Sequence, residues 1–341
     1  MTPEFRNRTV VITGASAGVG RAVAHRFALA GASVGLIARD TNALNDVKDE
    51  IDNLGGTGFV APADVSNPDE VFAAADSIAR QFGRVDVWIN DAMATVFSPV
   101  WDLTPAEFRR VTDVTYLGAV HGTMAALRHM RQHNHGTIVQ IGSALAFRGI
   151  PLQSAYCGAK HAIRGFTDSL RAELIHEKRA IRIAIVELPA VNTPQFDWAR
   201  THVARQPRPV PPVVQPEVIA EAIFRATLHP AREYWIGWST LKVILGNMLF
   251  PGFLDHYLAR TTFAEQQTKL PVTHERRDNL MHPVRELHRT RGSFGDEARR
   301  SALVTSSALA RFASIAACGA ALLALGMLSN RKPTHRVSRR R

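Results

Sequence analysis

Tyr156 and Lys160 stand four residues apart in QSAYCGAK (153–160), inside a stretch with the period of one continuous helix. Four residues is just over one helical turn, so both side chains leave the same face and can lie near each other. A free tyrosine has a pKa near ~10 and is a poor base at neutrality. A neighbouring ammonium stabilises the phenolate, which makes the pair a candidate for acid–base chemistry. The spacing alone is common, and a half-buried tyrosine beside a surface lysine is the plainer alternative. A second chemical signal lies near the N-terminus. TVVITGASAGVGRAVAHRF (9–27) passes from an apolar run through Gly14, Gly18 and Gly20 into an amphipathic stretch. Glycines at that spacing allow a tight strand-to-helix turn, and they let N–H groups around Ser16, Val19 and Gly20 approach a pyrophosphate.

Both signals need a scaffold. Apolar runs at 9–14, 33–38, 58–65, 85–90, 137–143 and 181–188 read as strands buried on both faces, with REYWIG (232–237) a further candidate. Segments of helical period lie between them, over 19–30, 41–53, 68–82, 104–132 and 154–178. Asn67 before Pro68, with acids following, is a conventional helix start. This alternation predicts an α/β fold, a doubly wound parallel sheet of Rossmann type. The second strand ends GLIARD, so Arg39 stands where a basic residue meets the phosphate of NADP. Asp40 lies two places beyond the usual position of a ribose-binding carboxylate. NADP(H) is therefore expected over NAD(H).

Composition narrows the classes. The net charge of +11 belongs to the C-terminal part: residues 1–268 carry 26 Lys+Arg against 25 Asp+Glu, and residues 269–341 carry 15 against 5. The near-neutral body argues against a nucleic-acid footprint. Two cysteines, Cys157 and Cys318, suggest neither a disulfide framework nor a zinc site and fit a reducing, cytoplasmic compartment. The 14 histidines show no metal-ligand spacing, and no apolar signal-peptide core opens the chain.

Taken together, these motifs resemble the short-chain dehydrogenase/reductase family over residues 6 to about 237. TGxxxGxG matches Thr13–Gly20, an Asp-Val after the third strand matches Asp64–Val65, and YxxxK matches Tyr156 and Lys160. Ser143 ends the fifth strand 13 residues before Tyr156. The resemblance implies an oxidoreductase that moves hydride between the cofactor and a carbonyl or alcohol. It implies Tyr156 as proton donor or acceptor, Ser143 holding the substrate oxygen, and Lys160 also on the nicotinamide ribose. By the same resemblance Asp64 and Val65 meet adenine, Asn90 lies against the cofactor, Thr193 meets the nicotinamide, and the long helices pair two or more copies. The chain departs from the family pattern at Asp91 and Met93, at Thr115 where an asparagine is usual, and at Ala190. Thr115 keeps the backbone carbonyl that serves the family's water-linked proton relay, so a modified relay is expected. Two other classes stay open: a cofactor binder without turnover, and a membrane scaffold that uses the fold as a frame.

Three regions follow from this reading: a cofactor domain over 1–240, an extension over 241–300, and an apolar helix with a basic tail over 301–341. Phe196 and Trp198 are candidates for an apolar substrate wall. The run 241–259 is a lid, a membrane-touching surface or a packed helix, and 269–300 reads as weakly ordered. Residues 312–328 carry no charge and are followed by six Lys/Arg. At 17 residues the segment is at the short limit for a span, and its flanks oppose the positive-inside tendency. Membrane association is the expectation there, ahead of docking on the protein.

Overall fold

The computed structural model describes residues 4–273 and 275–316. Seven parallel strands form its centre: β1 (Thr9–Thr13), β2 (Ser33–Ile37), β3 (Thr57–Val60), β4 (Val87–Asn90), β5 (Gly136–Ser143), β6 (Ile181–Leu188) and β7 (Glu233–Ile236). An eighth, β8 (Val304–Ser306), pairs antiparallel with β7, giving the order β8-β7-β6-β5-β4-β1-β2-β3. This is the doubly wound sheet expected from the alternation, with β8 added at its edge. The third strand stops at Val60, so Ala61–Val65 is a loop that carries Asp64 beyond the sheet's C-terminal end.

Helices cover both faces because the strands are apolar on both faces. On one side α1 (Gly18–Ala28), α2 (Thr41–Asn53) and α7 (Pro216–Leu228) pack on the sheet around Phe5, Phe27 and Phe224. On the other lie α3 (Pro68–Phe82), α4 (Pro105–Thr112), α5 (Gly118–His133) and α6 (Ser154–His176), around Trp88, Ile78 and Met130. The expected helix over 104–132 is interrupted: Asp113–Leu117 forms a π-helical turn between α4 and α5. Its cause is visible at Thr115, whose hydroxyl both donates to the Ala94 carbonyl and accepts from the Ala94 N–H, each at 3.0 Å.

Beyond β7 the run 241–259 is two helices, α8 (Gly237–Leu249) and α9 (Pro251–Glu265), broken where Pro251 opens the second. The expectation of weak order over 269–300 is not met. Residues 279–294 form a strap across the C-terminal ends of the strands, tied in part by main-chain groups. Three strap carbonyls, of Asn279, Leu280 and Met281, accept from the Arg39 guanidinium. The Arg289 carbonyl accepts from the Gly18 N–H at 3.0 Å, and the Gly292 N–H donates to the Asn192 carbonyl at 3.1 Å. A helix starts at Ser307 and runs to Ala316. Cys318, the rest of the 312–328 segment and the basic tail lie outside the described residues.

Candidate active site

Ser143 is the last residue of β5, and α6 begins eleven residues later, so its first two turns pass beside that strand end. The Tyr156 hydroxyl lies beside that of Ser143, which lowers its pKa, and Ser143 Oγ accepts from the Leu145 N–H at 3.2 Å. One turn further along the same face, Lys160 is 3% exposed and its Nζ donates to the Ile141 carbonyl at 2.6 Å. The ammonium lies 5.5 Å from the centre of the Tyr156 ring. The three residues therefore converge at one strand end, as the four-residue spacing required.

The electrostatics differ from the expectation in one respect. Burial dominates at Tyr156 and holds its pKa well above the ordinary phenol value, against the opposing influence of Ser143. The phenol is a proton donor in this state, and its conversion to a base needs a further positive charge. Burial also brings the Lys160 ammonium down to about 8, with Asp91 and Glu187 pulling the other way. Asp91, half-buried beside the glycine loop, is raised by desolvation to about 7 despite Lys160 and the Gly20 backbone. Cys157 is buried and its thiol is pushed up to about 11, so it is a packing residue and no nucleophile.

A cavity of about 470 Å³ runs from the glycine loop past this cluster. Of the residues expected to bind cofactor, Gly14, Ser16, Gly18, Val19, Arg39, Asp64, Val65, Tyr156, Lys160 and Thr193 line it. A Cβ on Gly20 would press into the Gly14 carbonyl, so that glycine serves the turn itself. The Val19 N–H, at the start of α1, has no protein acceptor among the described residues. Asp64 is paired with Arg110 at 2.6 Å, which holds its carboxyl below the usual range although burial opposes this. Two expected residues fall outside. Asn90 accepts from Trp88 and donates to Thr123 and Gln140, so its side chain is spent inside the α5 layer. Thr115 is bound to Ala94 and does not line the cavity. Asn192 is likewise occupied, by Gln215 and by the Phe294 N–H of the strap.

Sequence reasoning gave no role to Glu187. It is fully buried on β6, close to Gly142, and shares Arg164 with Glu233 of β7 at 3.8 and 3.0 Å. Burial and the second carboxylate raise it to about 8. A lone acid in IRIAIVEL was the available signal, since charged residues in apolar strands are rarely buried without a partner.

This geometry agrees with the comparisons. The sequence profile of the short chain dehydrogenase family matches residues 8–203. The chain belongs to that family. It is 32% identical over 270 residues to the uncharacterized oxidoreductase YxnA of Bacillus subtilis, covering 79% of this chain and 76% of that protein. To the mouse dehydrogenase/reductase SDR family member 7B it is 36% identical over 193 residues, covering 55% of this chain and only 59% of the mouse protein. Among solved structures, levodione reductase superposes at a TM-score of 0.54 with 31% identity, covering 57% of this chain and 76% of that one. NAD+-bound xylitol dehydrogenase superposes at 0.53 with 28% identity, covering 55% of this chain and 72% of that one. The family is one of oxidoreductases that use a nicotinamide dinucleotide, and the match ends near residue 203, before α8, α9 and the strap.

Proposed function

We propose that this protein is an NADP(H)-dependent oxidoreductase that interconverts a carbonyl and an alcohol on an apolar substrate, with Tyr156 as the acid–base group. The observation that carries the reading is the convergence of Ser143, Tyr156 and Lys160 on the wall of one cavity. One end of that cavity is the glycine loop, and the other is lined by Leu145, Ile150, Val243 and Leu258; Trp198, expected on the substrate wall, packs instead against His288 at the glycine-loop end.

The residues present fit a dinucleotide. The helix N-terminus at Val19 offers a free N–H for a pyrophosphate, and the loop before it keeps side chains out of the way. Arg39 and Asp64 stand at the ends of β2 and β3, where adenosine would lie, while Lys160 and Thr193 would meet the nicotinamide half. The bound cofactor supplies or takes the hydride. Ser143 donates a hydrogen bond to the substrate oxygen and fixes its position against the Tyr156 hydroxyl. Tyr156 then gives its proton to that oxygen as negative charge develops. A buried, protonated phenol suits this direction, since an alkoxide is a far stronger base than a phenolate. Lys160 holds positive charge beside the phenolate left behind, and Thr115 positions the loop after β4. Turnover, and not mere binding, is favoured because all three groups are in mutual reach.

The apolar substrate end opens under α8 and α9, whose turn exposes Met248, Leu249, Phe250 and Phe253, each more than 60%. Ala310 of the helix beginning at Ser307 packs with Ile244 of α8, and that helix also exposes Leu309, Phe312 and Ile315. No described helix is long and apolar enough to cross a membrane. We take this face to rest on a lipid surface, from which a lipophilic substrate enters. Consumption of NADPH and NADH should be measured against ketones and aldehydes of graded hydrophobicity, with and without anionic vesicles. Turnover confined to small polar carbonyls, or no cosedimentation with vesicles at low salt, would refute the substrate and membrane parts respectively.

A further inference from the structure

The strap 279–294 is held by main-chain groups, by the buried side chains of Leu280 and Val284 and by the ion pairs of Arg289 and Arg291, and one polar side chain points into the cavity without a bond. His288 lines the cavity, its side chain is 8% exposed, and neither ring nitrogen makes a hydrogen bond of ordinary length and angle. The ring lies 5.2 Å from that of Trp198, and its backbone carbonyl accepts from Arg21 at 2.9 Å, so backbone and ring are both fixed. Nε2 stands 3.7 Å from the Asp40 carboxylate. Asp40 is itself engaged, accepting from the Ala43 N–H as the cap of α2. Buried polar groups in native proteins are nearly always satisfied, and an orphan in a cavity marks the place of a missing partner.

The position of the ring says what that partner is. His288 sits between the glycine loop and the end of β2, where an adenosine ribose turns its 2′ position toward the second strand. Arg39 is in the same corner. Of the five N–H donors of its guanidinium, three go to strap carbonyls, which leaves two. Arg39 therefore cannot saturate a phosphate while it also anchors the strap. A phosphate there needs another donor, and the strap brings one.

We propose that His288 is a ligand of the 2′-phosphate of the dinucleotide, which it shares with the two free donors of Arg39, so that cofactor choice is set partly from the C-terminal extension. The inference rests on the dinucleotide reading above. It makes the strap a wall of the cofactor site, and it explains why an imidazole is kept without a partner in a buried position. Burial, with Arg21 and Arg39, holds the ring's pKa below the ordinary imidazole value against the Asp40 carboxylate and the Ser16 backbone; a phosphate dianion would add to the second side.

The test uses the full chain and two fragments, adenosine 2′,5′-bisphosphate and adenosine 5′-diphosphate, with affinities read by calorimetry for the wild type, His288→Ala and His288→Gln. The wild type should prefer the 2′-phosphorylated fragment. His288→Ala should weaken that fragment about ten- to a hundredfold and the diphosphate by no more than about threefold, as expected for a charge-assisted hydrogen bond. His288→Gln, which keeps a donor and much of the volume, should fall between. Equal losses for both fragments would make the ring a mere fastening of the strap and overturn the proposal, as would unchanged affinities or a wild type indifferent to the 2′-phosphate. If the wild type binds neither fragment, NADPH nor NADH, the dinucleotide reading itself has failed and this inference falls with it.

Discussion

Replacing Tyr156 by Phe removes one oxygen from the centre of the site and little else. The ring is half-buried against the core layer that holds Ala155 and Val114, so phenylalanine fills the same space. The lost hydroxyl lies beside Ser143, which keeps its bond from the Leu145 N–H. Lys160 stays anchored on the Ile141 carbonyl at 2.6 Å. Stability should therefore change by about 1 kcal/mol or less. The catalytic cost is of a different order. General acid catalysis contributes about 10²- to 10⁴-fold, which is about 3–5 kcal/mol of barrier at 1.36 kcal/mol per factor of ten. The assay is NADPH consumption with an apolar ketone at saturating cofactor, beside a fluorescence titration of NADPH. The expected result is a rate lower by at least about a hundredfold, with cofactor affinity within about threefold and an almost unchanged melting temperature. A variant that keeps more than a tenth of the wild-type rate would refute the reasoning, because Tyr156 would then not be the proton donor.

Three further outcomes are expected. Glu187 carries a folded pKa raised from 4.5 to about 8, so the unfolded chain releases this proton at lower pH and stability falls as pH rises through that window. Glu187→Gln should remove that fall, widening its advantage over the wild type between pH ~5 and ~8 by on the order of 1–3 kcal/mol in urea unfolding; parallel profiles would contradict the buried-acid account. Gly20→Ala would force a Cβ into the Gly14 carbonyl, so a loss of about 1–3 kcal/mol and of dinucleotide binding together is expected from thermal melts and titration. Arg148 reaches from the loop after Ser143 to Asn247, the Pro251 carbonyl and Asp255 at the α8–α9 turn. Arg148→Ala should raise KM for an apolar substrate about three- to tenfold with kcat nearly unchanged, and a fall in kcat alone would show that the hairpin is not a lid.

The parts of this molecule that sequence revealed are those where a physical period had to be kept. The central strands are continuous apolar runs because both faces are covered, and the Tyr156–Lys160 spacing follows from helix geometry whatever the surroundings. The parts that stayed hidden have no such period. Val304–Ser306 is a short, polar strand that exists only because β7 has an unpaired edge. The strap carries no apolar repeat: Leu280 and Val284 are buried and Phe294 meets Phe196, while backbone groups and the Arg289 and Arg291 ion pairs, which have no period, supply the rest. Asn90 shows the limit at one residue's resolution. It ends β4, so its side chain alternates onto the α5 face, while Asp91 next to it enters the cavity. A motif match gives the position but not the side on which the side chain emerges.

The family match stops near residue 203, and the division of labour in the structure follows that point. The residues proposed to bind the cofactor and move the proton lie before it: the glycine loop, Ser143, Tyr156 and Lys160. What encloses the chemistry lies after it. The strap closes the adenosine end through Arg39 and Gly18, and the α8–α9 hairpin closes the substrate end through Arg148. These two closures have separate fastenings on opposite sides of the reacting groups. Cofactor and substrate would then enter by different routes, each gated by its own element, so loosening one should leave affinity at the other end unchanged. Because the strap's carbonyls hold Arg39 itself, the residue expected to select the cofactor is also the one that keeps the cofactor door shut. On the proposed reading, a dinucleotide held beneath the strap would leave only once those bonds open.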